Sequence, residues 1–119
     1  MSPERGKQVA LPASDSDSLW ELRFATNEAA KGWDELCRQA PANTLVAYEE
    51  MRRREVEQVP TTRHHRLEGT LASGVRNGSE REQWQYEVTA DRRIWYLMDV
   101  ERRTLWLRYA GTAHPEKME

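Results

Sequence analysis

The sequence predicts a small α+β domain: an antiparallel four-stranded sheet with an N-terminal strand and a helical hairpin packed on one face. Two observations support this fold class. Apolar residues recur at helical spacing between residues 27 and 58, and they alternate with polar residues in runs on both sides of that region. A chain of 119 residues is also the size of one domain with a single core.

The two ends of the chain differ in composition from its middle. Residues 1–17, "MSPERGKQVALPASDSD", contain two prolines and alternate Ser with Asp, which predicts a disordered tail. We expect one domain over residues 18–115 and a short C-terminal tail over residues 116–119.

The first two elements are a strand and a helix. In "SLWELRF" the residues Trp20, Leu22 and Phe24 fall on alternate positions, as in a strand with one buried face. Thr26 and Asn27 then suit the start of a helix. The helix continues with residues at helical spacing that we expect to be packed: Ala29, Trp33, Leu36, Cys37 and Ala40.

A second helix is predicted over residues 42–58. Pro41 ends the first helix and fits the first turn of the next, and Pro60 stops that second helix. Its apolar face is expected to carry Leu45, Tyr48 and Met51. The two helices would form a hairpin.

The remaining chain is β-rich. "HHRLEGTL" predicts a short strand, and "ASGVRNGSERE" a polar loop. Three strands follow: "QWQYEVT", "RRIWYLMD" and "TLWLRYAG". If the loop 89–91 joins the first two as a three-residue turn, one face of this hairpin carries Trp84, Tyr86, Val88, Ile94, Tyr96 and Met98. Glu87 and Arg93 then lie opposite each other on the other face, beside Gln85 and Trp95. A loop of even length would swap the faces.

Arginine and histidine are placed where they suggest phosphate chemistry. Arginine holds phosphate in fixed geometry, and histidine transfers protons near neutral pH. "RHHR" supplies Arg63, His64, His65 and Arg66, the hairpin supplies Arg92 and Arg93, and His114 follows the last strand. Two histidines and an arginine around one phosphodiester would cleave RNA without a metal. His64 and His65 alternate along a strand, so at most one of them faces such a site.

The chain resembles the RelE/ParE superfamily, the toxins of type II toxin–antitoxin systems. The matching pieces are "WELRFATNEAAKGWDELC" as first strand and helix, "HRLEGTL" with its Leu-x-Gly, and the hairpin "WQYEVTADRRIWYLMD" with its element "RIWY". They span nearly all of the chain from Trp20 to His114. The resemblance implies an endoribonuclease of the YoeB/RelE-like branch that cuts messenger RNA, needs no cofactor and no metal, and is inhibited by an antitoxin protein.

The resemblance also assigns roles to residues. Arg93 matches the arginine that contacts the phosphate. His65, two positions before the leucine of Leu-x-Gly, matches the proton acceptor, and His114 matches the terminal histidine, here assigned as the proton donor. We expect four further arginines to bind the substrate: Arg63, Arg66, Arg92 and Arg108.

An alternative remains within the same fold. ParE-like members act on DNA gyrase and lack the acid–base pair, and a relative that has lost catalysis would be a protein-interaction module. The net charge of −2 and the Pro115 that follows His114 depart from the usual ribosome-dependent members. Because no apolar run reaches the length of a membrane span, we expect a cytoplasmic protein. The resemblance implies that it acts on messenger RNA at the ribosome. Its oligomeric state is left open.

Overall fold

A computed structural model describes residues 19–53 and 60–112 of the chain. In that part the chain forms two helices and a six-stranded sheet. The elements are β1 (Glu21–Phe24), α1 (Asn27–Gln39), α2 (Pro41–Arg52), β2 (His64–Arg66), β3 (Ser73–Arg76), β4 (Ser79–Thr89), β5 (Arg92–Asp99) and β6 (Thr104–Gly111), with a 3₁₀ turn at Gly69–Leu71. The expected N-terminal tail, the predicted end of the second helix beyond residue 53, and His114 lie outside the described residues.

The predicted α+β class is confirmed, but the sheet is mixed and has six strands rather than four antiparallel ones. Its order is β1-β6-β5-β4-β2, with β3 also paired to β4. β1 runs parallel to β6, with Leu22 beside Leu105. The alternation in "SLWELRF" predicts a strand and says nothing about its partner. The helical hairpin carries the chain from β1 at one edge to β2 at the other.

The predicted loop over residues 72–82 is wrong, because this segment is a β-hairpin. β3 pairs with the beginning of β4, from Ser73 beside Glu82 to Arg76 beside Ser79. The turn consists of Asn77 and Gly78, whose φ angles are 55° and 76°. Two consecutive residues with positive φ make the turn that matches the twist of paired strands, and Asn-Gly is the pair that adopts it most readily.

Helix α1 packs closely on β6. Thr26 caps it, since its Oγ1 accepts a hydrogen bond from the Ala29 backbone N–H at 2.9 Å and donates one to the Arg108 carbonyl at 3.1 Å. A Cβ atom on Gly32 would lie 1.8 Å from the carbonyl oxygen of Ala110. The approach of the helix to the strand therefore requires glycine at this position.

The buried face of α2 agrees with the predicted one at Met51 and differs from it at Leu45. Thr44, Ala47 and Met51 are buried, whereas 60% of Leu45 is exposed. The Thr44 hydroxyl donates to the carbonyl of Leu36 at 3.1 Å, so this polar side chain is satisfied inside the helical hairpin. Cys37, also predicted to be packed, is exposed.

The predicted register of the β4–β5 hairpin is confirmed, but the predicted three-residue loop is wrong. Thr89 pairs with Arg92, so the turn has two residues, and a bulge at Val88 keeps the register. Tyr86 pairs with Ile94 and Glu87 with Arg93. All six residues predicted to share one face are buried in the main core, together with residues of both helices. We call this helix-bearing side of the sheet the covered face and the other side the open face. No helix in the described ranges is long and apolar enough to span a membrane.

Candidate functional site

A row of four side chains crosses the open face, one from each of four neighbouring strands. His65 in β2 pairs with Gln85 in β4, which pairs with Trp95 in β5, which pairs with Tyr109 in β6. Residues paired in this way project from the same face of a sheet. Arg93 and Glu87 form the adjacent row, one pleat repeat farther along. The pairing thus gathers a histidine, an arginine and two aromatic rings at one end of the open face.

Gln85 connects these two rows. Its Oε1 accepts a hydrogen bond from the indole Nε1 of Trp95 at 2.9 Å and a longer one from Nη1 of Arg93 at 3.4 Å. The Gln85 side chain is buried, and a buried amide with two donors on its oxygen has little rotational freedom. Gln85 therefore orients the guanidinium of Arg93 while Trp95 fixes Gln85.

The guanidinium of Arg93 keeps hydrogen-bonding capacity. Its Nε is buried and has no hydrogen-bond partner within residues 19–53 and 60–112. Buried donors in native proteins nearly always have an acceptor, so an unfilled one calls for an explanation. A bound anion supplies such an acceptor, and the planar fork of arginine fits two oxygens of a phosphate at once.

His65 lies on the open face with one ring nitrogen already committed. Its Nδ1 is 3.0 Å from the backbone carbonyl of Arg66. A carbonyl oxygen only accepts, so Nδ1 carries the proton in this contact and Nε2 of the neutral ring holds a lone pair. From the spacing of strands and residues, the Cα atoms of His65 and Arg93 are ~12 Å apart, close enough for both side chains to reach one phosphodiester.

The structure decides between the two neighbouring histidines. His64 faces the covered side, is 4% exposed, and lies 2.5 Å through Nε2 from the hydroxyl of Tyr96. Its ring also makes edge contacts with Trp84 and Tyr86. His64 and Tyr96 are therefore core residues, and His65 is the histidine that faces the candidate site.

Three of the four predicted substrate-binding arginines do not join Arg93 on the open face. Arg63 lines a small cavity of about 190 Å³ beside α2, and Arg92 donates to Gln39 of α1 at 2.5 Å. Arg66 donates to the carbonyl of Ala72 at 3.0 Å and lies 3.7 Å from Glu82. Arg66 and Arg92 are thus held by local partners, and Arg63 lies beside α2, so all three are away from the row described above.

Arg108 is the predicted arginine that does lie on the open face. It occupies the bulge where the β5–β6 register shifts, and its Nη1 donates to Oε1 of Gln83 at 3.2 Å. Burial lowers the pKa of Arg108 from its usual value, although a guanidinium stays charged near neutral pH. His114 lies outside the described residues, so its place relative to this site is still a prediction.

The connecting role of Gln85 was missed by sequence reasoning. The signal lay in "QWQYEV", where glutamines alternate with aromatic residues on a strand that is buried on both faces. A glutamine at such a position needs polar partners. In the described residues, no three or more His, Cys, Asp or Glu side chains are grouped so that they could hold a metal ion.

Comparison with known proteins identifies a shared fold. No protein-family model and no curated protein sequence matches the chain. Among solved structures, the chain is similar to a metal-bound toxin from Helicobacter pylori, with a TM-score of 0.53 and 16% sequence identity over 82% of this chain and 98% of that chain. At this identity the likeness concerns the fold, which is therefore one that a bacterial toxin adopts.

Proposed function

We propose that the protein is the toxin of a toxin–antitoxin system and acts as a metal-independent endoribonuclease on messenger RNA at the ribosome. The observation that carries this proposal is the row on the open face, in which Gln85 links the strand of His65 to the guanidinium of Arg93. The toxin fold of the structural neighbour and the resemblance to RelE/ParE toxins both support it.

The proposed reaction is an attack by the ribose 2′-oxygen on the adjacent phosphorus. Nε2 of His65 takes the 2′-hydroxyl proton, the new P–O bond gives a 2′,3′-cyclic phosphate, and the bond to the 5′ oxygen breaks. His114 donates the proton to that leaving oxygen. Each proton transfer contributes roughly 10²- to 10⁴-fold. Arg93 stabilises the charge that builds on the phosphate oxygens.

We also propose that the antitoxin binds the helical hairpin. A groove of about 300 Å³ lies between α1 and α2, lined by Trp33, Cys37, Pro41, Thr44, Leu45 and Tyr48. Leu45 is apolar and yet 60% exposed in the wall of this groove. An amphipathic segment inserts its apolar side chains into a groove of this kind. This groove lies on the helical side of the molecule, so a segment bound there does not cover the open face. In this proposal, other parts of the antitoxin block the open face.

Expression of the protein alone in a bacterial host, with primer extension on a reporter transcript, tests the proposed activity. We expect growth arrest and new 5′ ends in the transcript for the wild type and for Arg38→Ala, and neither for His65→Ala. Arg38 is the matched control because it is an exposed arginine of α1 paired with Asp34. If the purified protein also cuts RNA free of ribosomes, that cleavage should persist in EDTA, because the proposed reaction uses no metal. Growth arrest with gyrase-linked DNA breaks and intact transcripts would instead identify the gyrase-poisoning alternative.

A further inference from the structure

The β3–β4 hairpin, residues 73–82, folds over the end of the open face that is remote from Arg93. Arg81 lies 3.3 Å from the buried carboxylate of Asp99 and 2.8 Å from Glu101, at the turn between β5 and β6. Asn77 at the hairpin tip donates to Asp99 at 3.3 Å. A Cβ atom on Gly74 would lie 2.5 Å from Nη1 of Arg108. The hairpin is therefore tied to the sheet at its tip and along its length.

This hairpin stacks an arginine on a tryptophan. The Cζ atom of Arg76 lies 4.1 Å from the centre of the Trp106 ring. The orientation of this indole ring is fixed by a hydrogen bond, because its Nε1 donates to the Asp99 carboxylate at 3.2 Å. The Nε of Arg76 is buried and finds no hydrogen-bond partner in the described part of the chain. The guanidinium plane of Arg76 is thus fixed against Trp106. Its Nε donor is unfilled, as is the Nε of Arg93.

The Arg76–Trp106 stack and Arg93 lie on the same face of the sheet with Arg108 between them. Trp106 pairs with Leu97, four residues along β5 from Arg93, which corresponds to ~13 Å. The acidic groups nearest the stack, Asp99 and Glu101, are already paired with Arg81. The face therefore carries arginine at both ends and in the middle, with Glu87 opposite Arg93, although the whole chain has a net charge of −2.

We propose that the Arg76–Trp106 stack is a second contact point for single-stranded RNA, where a base lies against the guanidinium plane while Arg93 holds a phosphate farther along the same strand. The choice of RNA rests on the proposed function. Bases of unpaired RNA stack on aromatic rings and on arginine planes, and arginine grooves attract the backbone.

The test is equilibrium binding of a fluorescent single-stranded RNA oligonucleotide at several salt concentrations. Arg76→Ala should bind about tenfold more weakly than wild type, the size expected for one lost stacking contact. Its plot of log affinity against log salt should be shallower by at most ~0.7, because the variant removes one positive charge beside the RNA backbone. Arg76→Lys keeps the charge and loses the plane, so it should keep the wild-type slope and bind weakly. Arg38→Ala should match wild type, and thermal melting checks that each variant is folded.

The outcomes separate this inference from the proposed function. If Arg76→Ala binds RNA with wild-type affinity and slope while Arg93→Ala fails to cleave, the second contact point is disproved and the ribonuclease stands. If Arg76-dependent RNA binding is found in a protein that cleaves no transcript, the contact point stands and the ribonuclease does not. Loss of antitoxin binding in Arg76→Ala with unchanged RNA binding overturns the inference in favour of a protein-binding role for the hairpin.

Discussion

The guanidinium of Arg93 is held by Gln85, whose Oε1 lies 3.4 Å from Nη1 and accepts at the same time from Trp95. The two residues come from neighbouring strands and from adjacent rows of the open face. An arginine can stand near the start of this apolar strand because its side chain points away from the main core and is oriented by the buried amide of Gln85. It also leaves the Nε of Arg93 without an acceptor among the described residues.

Arg93→Ala should abolish RNA cleavage and leave a folded domain. Arg93 is partly buried and makes one long hydrogen bond, which contributes little to folding, so the loss of stability should be under ~1 kcal/mol. Arg93→Lys should restore little activity because ammonium lacks the planar fork. Single-turnover cleavage and denaturant unfolding of both variants provide the measurements. Wild-type cleavage by Arg93→Ala, or its outright unfolding, would make Arg93 a structural residue.

Tyr86 should make the protein lose stability in alkali. Burial together with its hydrogen bond to Glu50 raises the pKa of Tyr86 to about 12, from a reference value of 10.0. A group with a raised folded-state pKa contributes stability that is complete below the unfolded pKa and is lost as pH rises through the folded pKa. Stability should therefore fall between about pH 10 and pH 12. Tyr86→Phe, measured by denaturant unfolding across that range, should show a smaller fall; an identical fall would assign it to other groups.

Gly32→Ala should destabilise the protein although alanine is the better helix former. In an exposed helix the change stabilises by ~1 kcal/mol. Here the added Cβ would lie 1.8 Å from the Ala110 carbonyl oxygen, so α1 must move away from β6. We expect a loss of roughly 2 kcal/mol or more in the free energy of unfolding. The neighbouring exposed change Lys31→Ala is the control and should stay within about 0.5 kcal/mol of wild type. An unchanged or more stable Gly32→Ala would show that the helix adjusts freely.

The register of the β4–β5 hairpin could be predicted because the alternating pattern is a local property, although a two-residue turn with a bulge at Val88 takes the place of the predicted three-residue loop. The pairing of β1 with β6 could not, since nothing in "SLWELRF" specifies a partner 80 or so residues away. The β3–β4 hairpin was missed for another reason. The residues on both sides of Asn77-Gly78 are mostly polar. The Asn-Gly pair favours a hairpin turn, but the alternation of apolar and polar residues that usually marks the two strands is missing.

Part of the candidate site could be predicted from local sequence patterns, and part depended on contacts between distant elements. Arg93 follows from the register, and the choice of His65 over His64 required knowing which face of β2 the helices cover. The exclusion of Arg92 from the open face required its contact with Gln39, a residue of another element. Likewise the buried face of α2 was misjudged because Thr44 enters the core through a hydrogen bond that hydrophobicity does not anticipate.

The groove between α1 and α2 should be required for antitoxin binding. Leu45→Asp places a charge on its exposed wall and should weaken the complex at least tenfold, because burying an unpaired carboxylate is costly. The exposed position means that folding should be unaffected. Val100→Asp is the matched control, because Val100 is also an exposed aliphatic residue and lies far from the groove, after the end of β5. Co-purification with the product of an adjacent small gene measures the effect. Equal recovery with both variants would move the antitoxin interface elsewhere.

The two histidines should be separable by their roles in proton transfer. His65 holds a lone pair on Nε2 through its contact with the Arg66 carbonyl, so it is assigned as the base, and His114 is assigned as the acid. Cleavage by the wild type should depend on pH as a bell, with each limb set by one histidine. A substrate with a 5′-thio leaving group needs no protonation of that group. It should therefore restore cleavage by His114→Ala and fail to restore cleavage by His65→Ala, measured as single-turnover rates against the oxygen substrate. Rescue of neither variant, or wild-type rates for both on ordinary RNA, would end the paired-histidine mechanism while leaving the role of Arg93 to its own test.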